Sequence, residues 1–218
     1  MKKWVVVAID TIAGVGFFSG LLGQAQKNYQ EYVLTDDSQA VAFYEEVMSQ
    51  PEWYHEINRV KRGEMLQLPE DMIKKIDTNA LTDAVLDYPY FIDVYAFDNY
   101  QWGMDSMYES FNGIRALAER EDLTEVLLEK YQNESILTKN DLHEDSDIFR
   151  LEKLEMLISQ DFVIEKMTEQ EYSNLNQIAN QKYELEKNSD YNSWLERNLL
   201  FYKLGIISSD WYDEFEET

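Results

Sequence analysis

Cysteine is absent from the 218 residues of this chain, which excludes disulfide bonds and thiolate metal sites and leaves the redox compartment undetermined. Histidine is limited to His55 and His143, and this scarcity removes most routes to a zinc site, a catalytic triad or a proton shuttle at neutral pH. No glycine-rich phosphate loop, His-Glu-x-x-His helix, nucleophile elbow or basic patch stands out. Any chemistry would therefore fall to carboxylates, and the commonest enzyme classes are disfavoured.

Proline and glycine are also scarce, with three and eight residues respectively. Between Pro51, Pro69 and Pro89, helix-forming residues recur with apolar positions three or four apart. Such periodicity is typical of amphipathic helices. The sequence therefore predicts an all-α fold, a helical bundle or an irregular helical array, preceded by an apolar N-terminal segment.

Capping and breaking residues place these helices along the chain. Asp77 or Thr78 caps one helix, Thr168 and Glu171 form a capping box for another, and Gly205 closes the last. The predicted helical segments are 37–48, 52–62, 69–76, 80–87, 99–118, 123–131, 148–158, 168–179 and 194–202.

Two local features within this pattern depart from a simple amphipathic helix. Residues 90–97 are rich in aromatic and β-branched side chains, which suits either a short strand or a buried helix. Because the neighbouring segments are predicted to be helical, we prefer the helix. Gly113 lies within the apolar stripe of the 99–118 segment, where glycine costs about 1 kcal/mol in helix propensity. We expect it to permit the close approach of a second helix.

Residues 1–25 have the layout of an export signal. Two lysines precede an apolar stretch over residues 4–22, and Gly23 and Ala25 supply small side chains at a cleavage site. Asp10 weakens this interpretation, because a carboxylate in a membrane-inserted helix costs roughly 2.5 to 3.5 kcal/mol. The stretch is also near the length of a spanning helix, so an uncleaved membrane anchor stays open, as does a buried element of a cytoplasmic fold.

The remaining chain is long enough for one domain or two small ones. We assign 1–25 to a signal peptide or membrane anchor, 26–131 to a helical domain, and 132–218 to an acidic helical region that is either part of that domain or a second one. The polar stretch over 132–147 is the one plausible linker or long loop.

The formal charge is −24, of which −15 lies in residues 121–218 and −9 in residues 1–120. A field of this sign repels nucleic acid and anionic lipid headgroups, so direct binding of DNA or RNA is disfavoured. Solubility is the simpler explanation of the acidity, and attraction of a basic partner is the more specific one.

A set of residues between 59 and 131, about a third of the chain, resembles a family of exported helical proteins from Gram-positive gut bacteria whose function is unknown. The most specific motifs of this resemblance are Leu86-Asp87-Tyr88-Pro89 and Phe111-Asn112-Gly113-Ile114. The further matching positions are 68–76, Thr78, Ala80, Leu81, Val85, Asp93, Ala96, Phe97, Gly103 and 120–122. The resemblance implies export and a helical module, and it supplies no catalytic residue.

Two groups of residues are candidates for a site. The carboxylates of Asp141, Asp145, Asp147 and Glu152 follow part of a calcium-loop pattern, but His143 and Ser146 occupy positions that normally hold an oxygen ligand and glycine. A solvated acidic loop is therefore preferred to a weak calcium site. An aromatic cluster could line a groove for carbohydrate or peptide, although such side chains more often form core: Tyr88, Tyr90, Phe91, Tyr95, Phe97, Tyr100 and Trp102.

No catalytic, cofactor-binding or metal-binding residue is predicted, and no cofactor. We expect a non-enzymatic, exported or envelope-associated helical interaction module whose partner is a protein, with membrane contact only through residues 4–22 if they are retained. The first alternative is an acidic inhibitor or decoy that imitates nucleic acid and binds a basic surface. The second is a carboxylate glycosidase, which needs two acids facing each other across an open cleft.

If the leader is removed after Ala25, the mature chain begins at Gln26. N-terminal sequencing or intact-mass measurement of the protein from the culture medium and the cell envelope is expected to find this end. Recovery of Met1-containing protein from the cytoplasm alone would contradict export.

Overall fold

The structure is a computed structural model that describes residues 39–136, 149–188, 195–208 and Tyr212. All regular secondary structure in these ranges is helical, as the periodicity predicts. No helix within them is both long and apolar enough to span a membrane. The predicted signal segment lies outside the described residues.

Twelve α-helices are present in the described ranges, and we number them in chain order. They are α1 Gln39–Ser49, α2 Pro51–His55, α3 Arg59–Met65, α4 Glu70–Ile73, α5 Thr78–Leu86, α6 Tyr100–Ser110, α7 Asn112–Ala118, α8 Leu123–Asn133, α9 Arg150–Ile158, α10 Asp161–Ile164, α11 Glu169–Lys187 and α12 Leu199–Lys203. Two 3₁₀ helices, Phe91–Ala96 and Leu195–Arg197, lie before α6 and α12.

Helix α9 lies at the centre of the fold. It contacts α5, α6, α8, α10 and α12, and all of its residues from Leu154 to Ile158 are buried. A segment that is covered on nearly every side must be apolar nearly all round. Residues 154–158 meet this condition except at Glu155, whereas the first turn of α9 carries Arg150, Glu152 and Lys153. The buried apolar side chains from Ala40 to Tyr212 form one hydrophobic cluster around it.

The first helices are held to this centre by aromatic side chains. The Tyr44 hydroxyl on α1 donates to the Ala84 carbonyl of α5 at 3.0 Å. The rings of Tyr88 and Phe111 stack with centroids 3.9 Å apart and planes 6° from parallel. Asn112 then joins the chain to residue 68, accepting from the Leu68 N–H and donating to its carbonyl.

A partly buried ion network links α5, α8 and α9. Asp83 accepts from Lys130 Nζ at 2.9 Å and also pairs with Arg150. Arg150 lies 3.8 Å from a carboxylate oxygen of Asp87 and 3.5 Å from one of Glu134. Side chains in this network are between 11% and 31% exposed, so water screens them less than it screens surface pairs.

Several predicted helix ends agree with the structure. The Asp77 carboxylate accepts from the Ala80 N–H at the start of α5, and Thr168 with Glu171 forms the capping box of α11. Gly205 has φ of 67°, and the N–H of Ile206 donates to the carbonyl of Phe201, as expected for this kind of C-terminal cap.

Other predicted helices are shorter or divided. Segment 52–62 is interrupted at Glu56–Asn58, where Asn58 caps a new helix. The segment predicted at 69–76 is regular only from Glu70 to Ile73. Segment 99–118 breaks at Phe111, which is extended with φ −119° and ψ 121°. Within the segment 90–97, Phe91–Ala96 form a 3₁₀ helix, consistent with the preference for a helix over a strand.

The aromatic cluster around the first 3₁₀ helix is mostly core. Tyr88, Phe91 and Tyr100 are at most 4% exposed, whereas Phe97 and Trp102 are 36% and 45% exposed. The preference for core over a ligand groove therefore holds for the three most buried rings.

The glycine that permits a close approach between elements is Gly103. A Cβ atom there would lie 2.8 Å from Val94 Cγ1 and 3.0 Å from the Val94 backbone, so the 3₁₀ helix packs directly on the backbone of α6. At Gly113 a Cβ would instead lie 2.3 Å from the ring of Phe111. Gly113 thus makes room for an aromatic ring and not, as we expected, for another helix.

Replacing Gly103 with alanine is expected to destabilise the protein by about 1 to 2 kcal/mol, because overpacking against Val94 outweighs the gain in helix propensity. Gly63→Ala is the matched control, since its Cβ would meet no atom closer than 3.7 Å. Urea unfolding is expected to show a lower midpoint for Gly103→Ala and an unchanged or higher one for Gly63→Ala. Equal midpoints for the two variants would contradict this account of the contact.

Candidate functional site

Helix α6 has two faces of different character. Gly103, Met104 and Met107 are buried, and the opposite side carries Gln101, Asp105, Tyr108 and Glu109. Residues three and four apart share one face of a helix, so these polar residues form a continuous stripe. Asp105 and Glu109 are exposed, and Tyr108 is 37% exposed.

This stripe lines one wall of a groove of about 360 Å³. The other wall is formed by Gln160 and by the first residues of α10, Asp161 and Phe162. We call this site the α6 groove. Its volume is at the low end of the range for ligand pockets, which suits one or two side chains of a partner better than a large ligand.

Hydrogen bonds hold the floor of the α6 groove. Gln101 Nε2 donates to Asp105 Oδ1 at 2.8 Å and to Gln160 Oε1 at 3.0 Å. Gln160 is 4% exposed and donates in turn to the Met156 carbonyl of α9 at 2.7 Å. The Gln101 Oε1 atom is buried and has no hydrogen-bond partner among the described residues. A buried acceptor without a donor is costly, so this atom is a local destabilising feature at the floor of the groove.

Two aromatic rings form the apolar part of the groove. The rings of Tyr108 and Phe162 lie with centroids 5.4 Å apart and planes tilted by 38°. Phe162 is partly buried against the core, which fixes its position. These rings offer a surface on which an aliphatic chain can pack, and a cation can bind over a ring face.

The charge of the groove is unbalanced. Asp161 pairs with Lys203 of α12 at 2.9 Å. Arg115 donates to the backbone carbonyls of Tyr108 and Glu109 at the end of α6. Within the described residues, neither Asp105 nor Glu109 forms an ion pair. The groove therefore presents two uncompensated carboxylates beside aromatic rings, an arrangement suited to a lysine or arginine side chain.

A second unusual feature is the buried carboxyl of Glu155 on α9, which is 2% exposed. It accepts from the Tyr131 hydroxyl of α8 at 2.8 Å and from Asn198 Nδ2 at 2.7 Å. Asn198 is also the N-cap of α12, where its Oδ1 accepts from the Phe201 N–H at 3.0 Å. One carboxyl thus joins three helices.

Helix α11 brings Lys182 and Glu186 to the same region. Lys182 is 6% exposed, donates to the Glu134 carbonyl at the end of α8, and lies with Nζ 5.0 Å from the centroid of the Tyr131 ring. Burial, followed by the charge of Glu186, raises the pKa of Glu155 to about 8. Burial, followed by the charge of Glu152, raises the pKa of Glu186 to about 7. Burial also lowers the pKa of Lys182.

Glu155 can hold a proton near neutral pH, which is a property of general acids. Its position does not suit a glycosidase, because Glu155 is 2% exposed and Tyr131, which covers it, is fully buried. A sugar at the surface could not reach this carboxyl. The cluster therefore acts within the fold as a neutral hydrogen-bonding group.

The candidate calcium residues Asp141, Asp145 and Asp147 lie outside the described residues, and Glu152 lies in the first turn of α9. Across the described ranges, no group of three or more His, Asp and Glu side chains is placed to hold a metal ion.

Neither the α6 groove nor the buried carboxyl of Glu155 was predicted from the sequence. A signal was present for each: Gln101, Asp105 and Glu109 recur at steps of four, and Glu155 interrupts the apolar run 154–158 on the inner face of its helix.

No family model matches the chain, and no curated protein or solved structure is significantly similar to it. The resemblance over residues 59–131 stays a prediction.

The stability of the protein is expected to fall as the pH rises from about 4.5 to about 8. In the unfolded chain Glu155 loses its proton near pH 4.5, whereas the folded protein keeps it up to about pH 8. A group with a raised folded pKa gives full stability below its unfolded pKa, and that stability is lost as the pH passes the folded pKa. We expect a difference on the order of 3 kcal/mol.

Urea unfolding at several pH values tests this expectation with Glu155→Gln, whose amide can replace the neutral carboxyl, and with the exposed control Glu125→Gln. Glu155→Gln is expected to reduce the pH dependence, leaving the smaller part that comes from Glu186, and the control is expected to retain the full dependence. The same slope in Glu155→Gln and wild type would contradict the assignment of a buried neutral carboxyl.

Proposed function

We propose that this protein is a non-enzymatic, exported or envelope-associated helical interaction module that binds another protein through the α6 groove. The observation that carries the proposal is the combination, at one position, of two carboxylates that form no ion pair with any described residue and two neighbouring aromatic rings. Export rests on residues 1–25, and the binding site rests on the described structure.

The chemistry of the groove defines the bound segment. Asp105 and Glu109 attract a cation, and the rings of Tyr108 and Phe162 cover an aliphatic stem. Lysine and arginine combine a charged, hydrogen-bonding end with such a stem. The proposed partner is therefore a protein with an exposed basic side chain flanked by apolar residues.

The acidic decoy is the second candidate, and the net charge of −24 favours it. A decoy uses charge spread over its whole surface, whereas the groove concentrates recognition at one place. The two functions therefore differ in their response to the position of a neutralised carboxylate and in their response to salt, because separated charges are screened beyond about 10 Å at 0.1 M salt.

Neutralising the groove with Asp105→Asn and Glu109→Gln is expected to weaken partner capture at least tenfold, which corresponds to about 1.4 kcal/mol. The full chain, immobilised, would be exposed to envelope and secreted fractions at about 0.05 M and about 0.5 M salt. Captured proteins would be quantified by mass spectrometry.

Glu125→Gln with Glu129→Gln is the matched control, since both residues are exposed, lie four apart and belong to an 11-residue helix as the groove pair does. This control is expected to capture the partner as wild type does. Equal losses in the two double variants, with capture abolished at high salt, would indicate a decoy instead. No loss in the groove variant would refute the groove as the binding site.

A further inference from the structure

The segment from α2 to α3 exposes apolar side chains that a folded protein usually covers. Ile57 is 94% exposed and Val60 is 72% exposed, while Tyr54 and Ile92 are 40% and 43% exposed. Single exposed apolar residues are ordinary, but a group of them marks an interaction site.

These side chains belong to one fixed surface. Arg59 binds both carboxylate oxygens of Asp93 and lies 4.4 Å from the centroid of the Tyr90 ring. This contact holds the 3₁₀ helix that carries Ile92 against the start of α3. Arg62 Nε donates to the Glu56 carbonyl, which fixes the turn before Ile57. Apolar exposure at Ile57 is therefore a property of an ordered turn.

The same surface carries three basic side chains, of which Arg59 pairs with Asp93 and Lys61 lies with Nζ 4.0 Å from a carboxylate oxygen of Glu56. Arg59, Lys61 and Arg62 are three bases in four residues, a local patch that the sequence analysis overlooked. The side chains of Arg59 and Lys61 are 62% and 63% exposed. We call this surface the basic corner, formed by Tyr54, Ile57, Arg59, Val60, Lys61 and Ile92.

The basic corner and the α6 groove have complementary chemistry. The corner presents cations beside aliphatic side chains, and the groove presents unpaired carboxylates beside Tyr108 and Phe162. Since Asp93 and Glu56 fix the corner to its own fold, the corner cannot swing into the groove of the same copy. Contact between the corner and an α6 groove therefore requires a second molecule.

We propose that the basic corner of one copy of this chain docks into the α6 groove of a second copy. The proposal rests on the groove being a binding site for basic side chains. Lys61 then approaches Asp105 and Glu109, and Ile57 packs on the two aromatic rings. Two different surfaces meet, so the contact is heterologous, and it continues into a ring or an open chain of copies.

Long-range repulsion between chains of charge −24 opposes this contact. At a salt concentration of 0.15 M the screening length is about 8 Å, so distant charges contribute little and the local attraction dominates. We therefore expect concentration-dependent association of the full chain at this salt concentration, measured by sedimentation velocity.

Two variants block one surface each. The corner variant, Ile57→Ser with Lys61→Gln, removes one exposed aliphatic side chain and one positive charge from the basic corner. The groove variant, Asp105→Lys with Glu109→Lys, reverses the charge of the α6 groove. All four positions are exposed, so the fold is retained, and circular dichroism verifies this. Each variant alone is expected to associate at least tenfold more weakly than wild type.

An equimolar mixture of the two variants is the decisive sample. The intact corner of the groove variant fits the intact groove of the corner variant, and no other pairing is available, so the mixture is expected to form dimers that do not grow further. Glu125→Lys with Glu129→Lys, which makes the same charge change on α8, is expected to associate at least as strongly as wild type.

A wild-type chain that stays monomeric, or a mixture that forms no dimers, would overturn self-docking. If the Asp105→Asn and Glu109→Gln variant still loses capture of another protein in that case, the proposed function stands without it. If the groove variants change neither self-association nor capture, both proposals fail.

Discussion

The burial of α9 with its single carboxyl is the constraint on which the arrangement of the other helices depends. Five helices pack against α9, and a chain without cysteine has only such packing to close its core. Glu155 could make this burial unfavourable, because an unpaired charge in an apolar interior is very costly. Protonation and hydrogen bonds from Tyr131 and Asn198 offset that cost, and the same bonds link α9 to α8 and to the N-cap of α12.

The α6 groove depends on this centre through α9. Gln160, which forms its floor, is anchored to the Met156 carbonyl of α9, and Phe162 follows two residues later. On the opposite wall, α6 is held by the close contact of Gly103 with Val94. The residues proposed for recognition are thus carried by elements anchored to the core, which is the arrangement that keeps a binding geometry precise without ordering a loop.

Local sequence signals predicted the parts of the fold that depend on neighbouring residues. The caps at Asp77 and Thr168 and the turn at Gly205 need only a few consecutive residues. The break at Phe111 was not predicted, because the apolar period continues through it while the ring turns to stack on Tyr88. The polar stripe of α6 could be read from its spacing. Its opposite wall could not, since Phe162 is more than fifty positions away in the chain.

The double role of Asn198 has a consequence for assembly. Glu155 and Tyr131 both precede α12 in the chain, and Asn198 follows Glu155 by 43 residues. During synthesis, which proceeds from the N-terminus, the carboxyl is therefore made before its last hydrogen-bond donor. A hydrated, ionised Glu155 must lose water and gain a proton when α12 closes over it. At neutral pH the docking of α12 consequently takes up a proton from solvent.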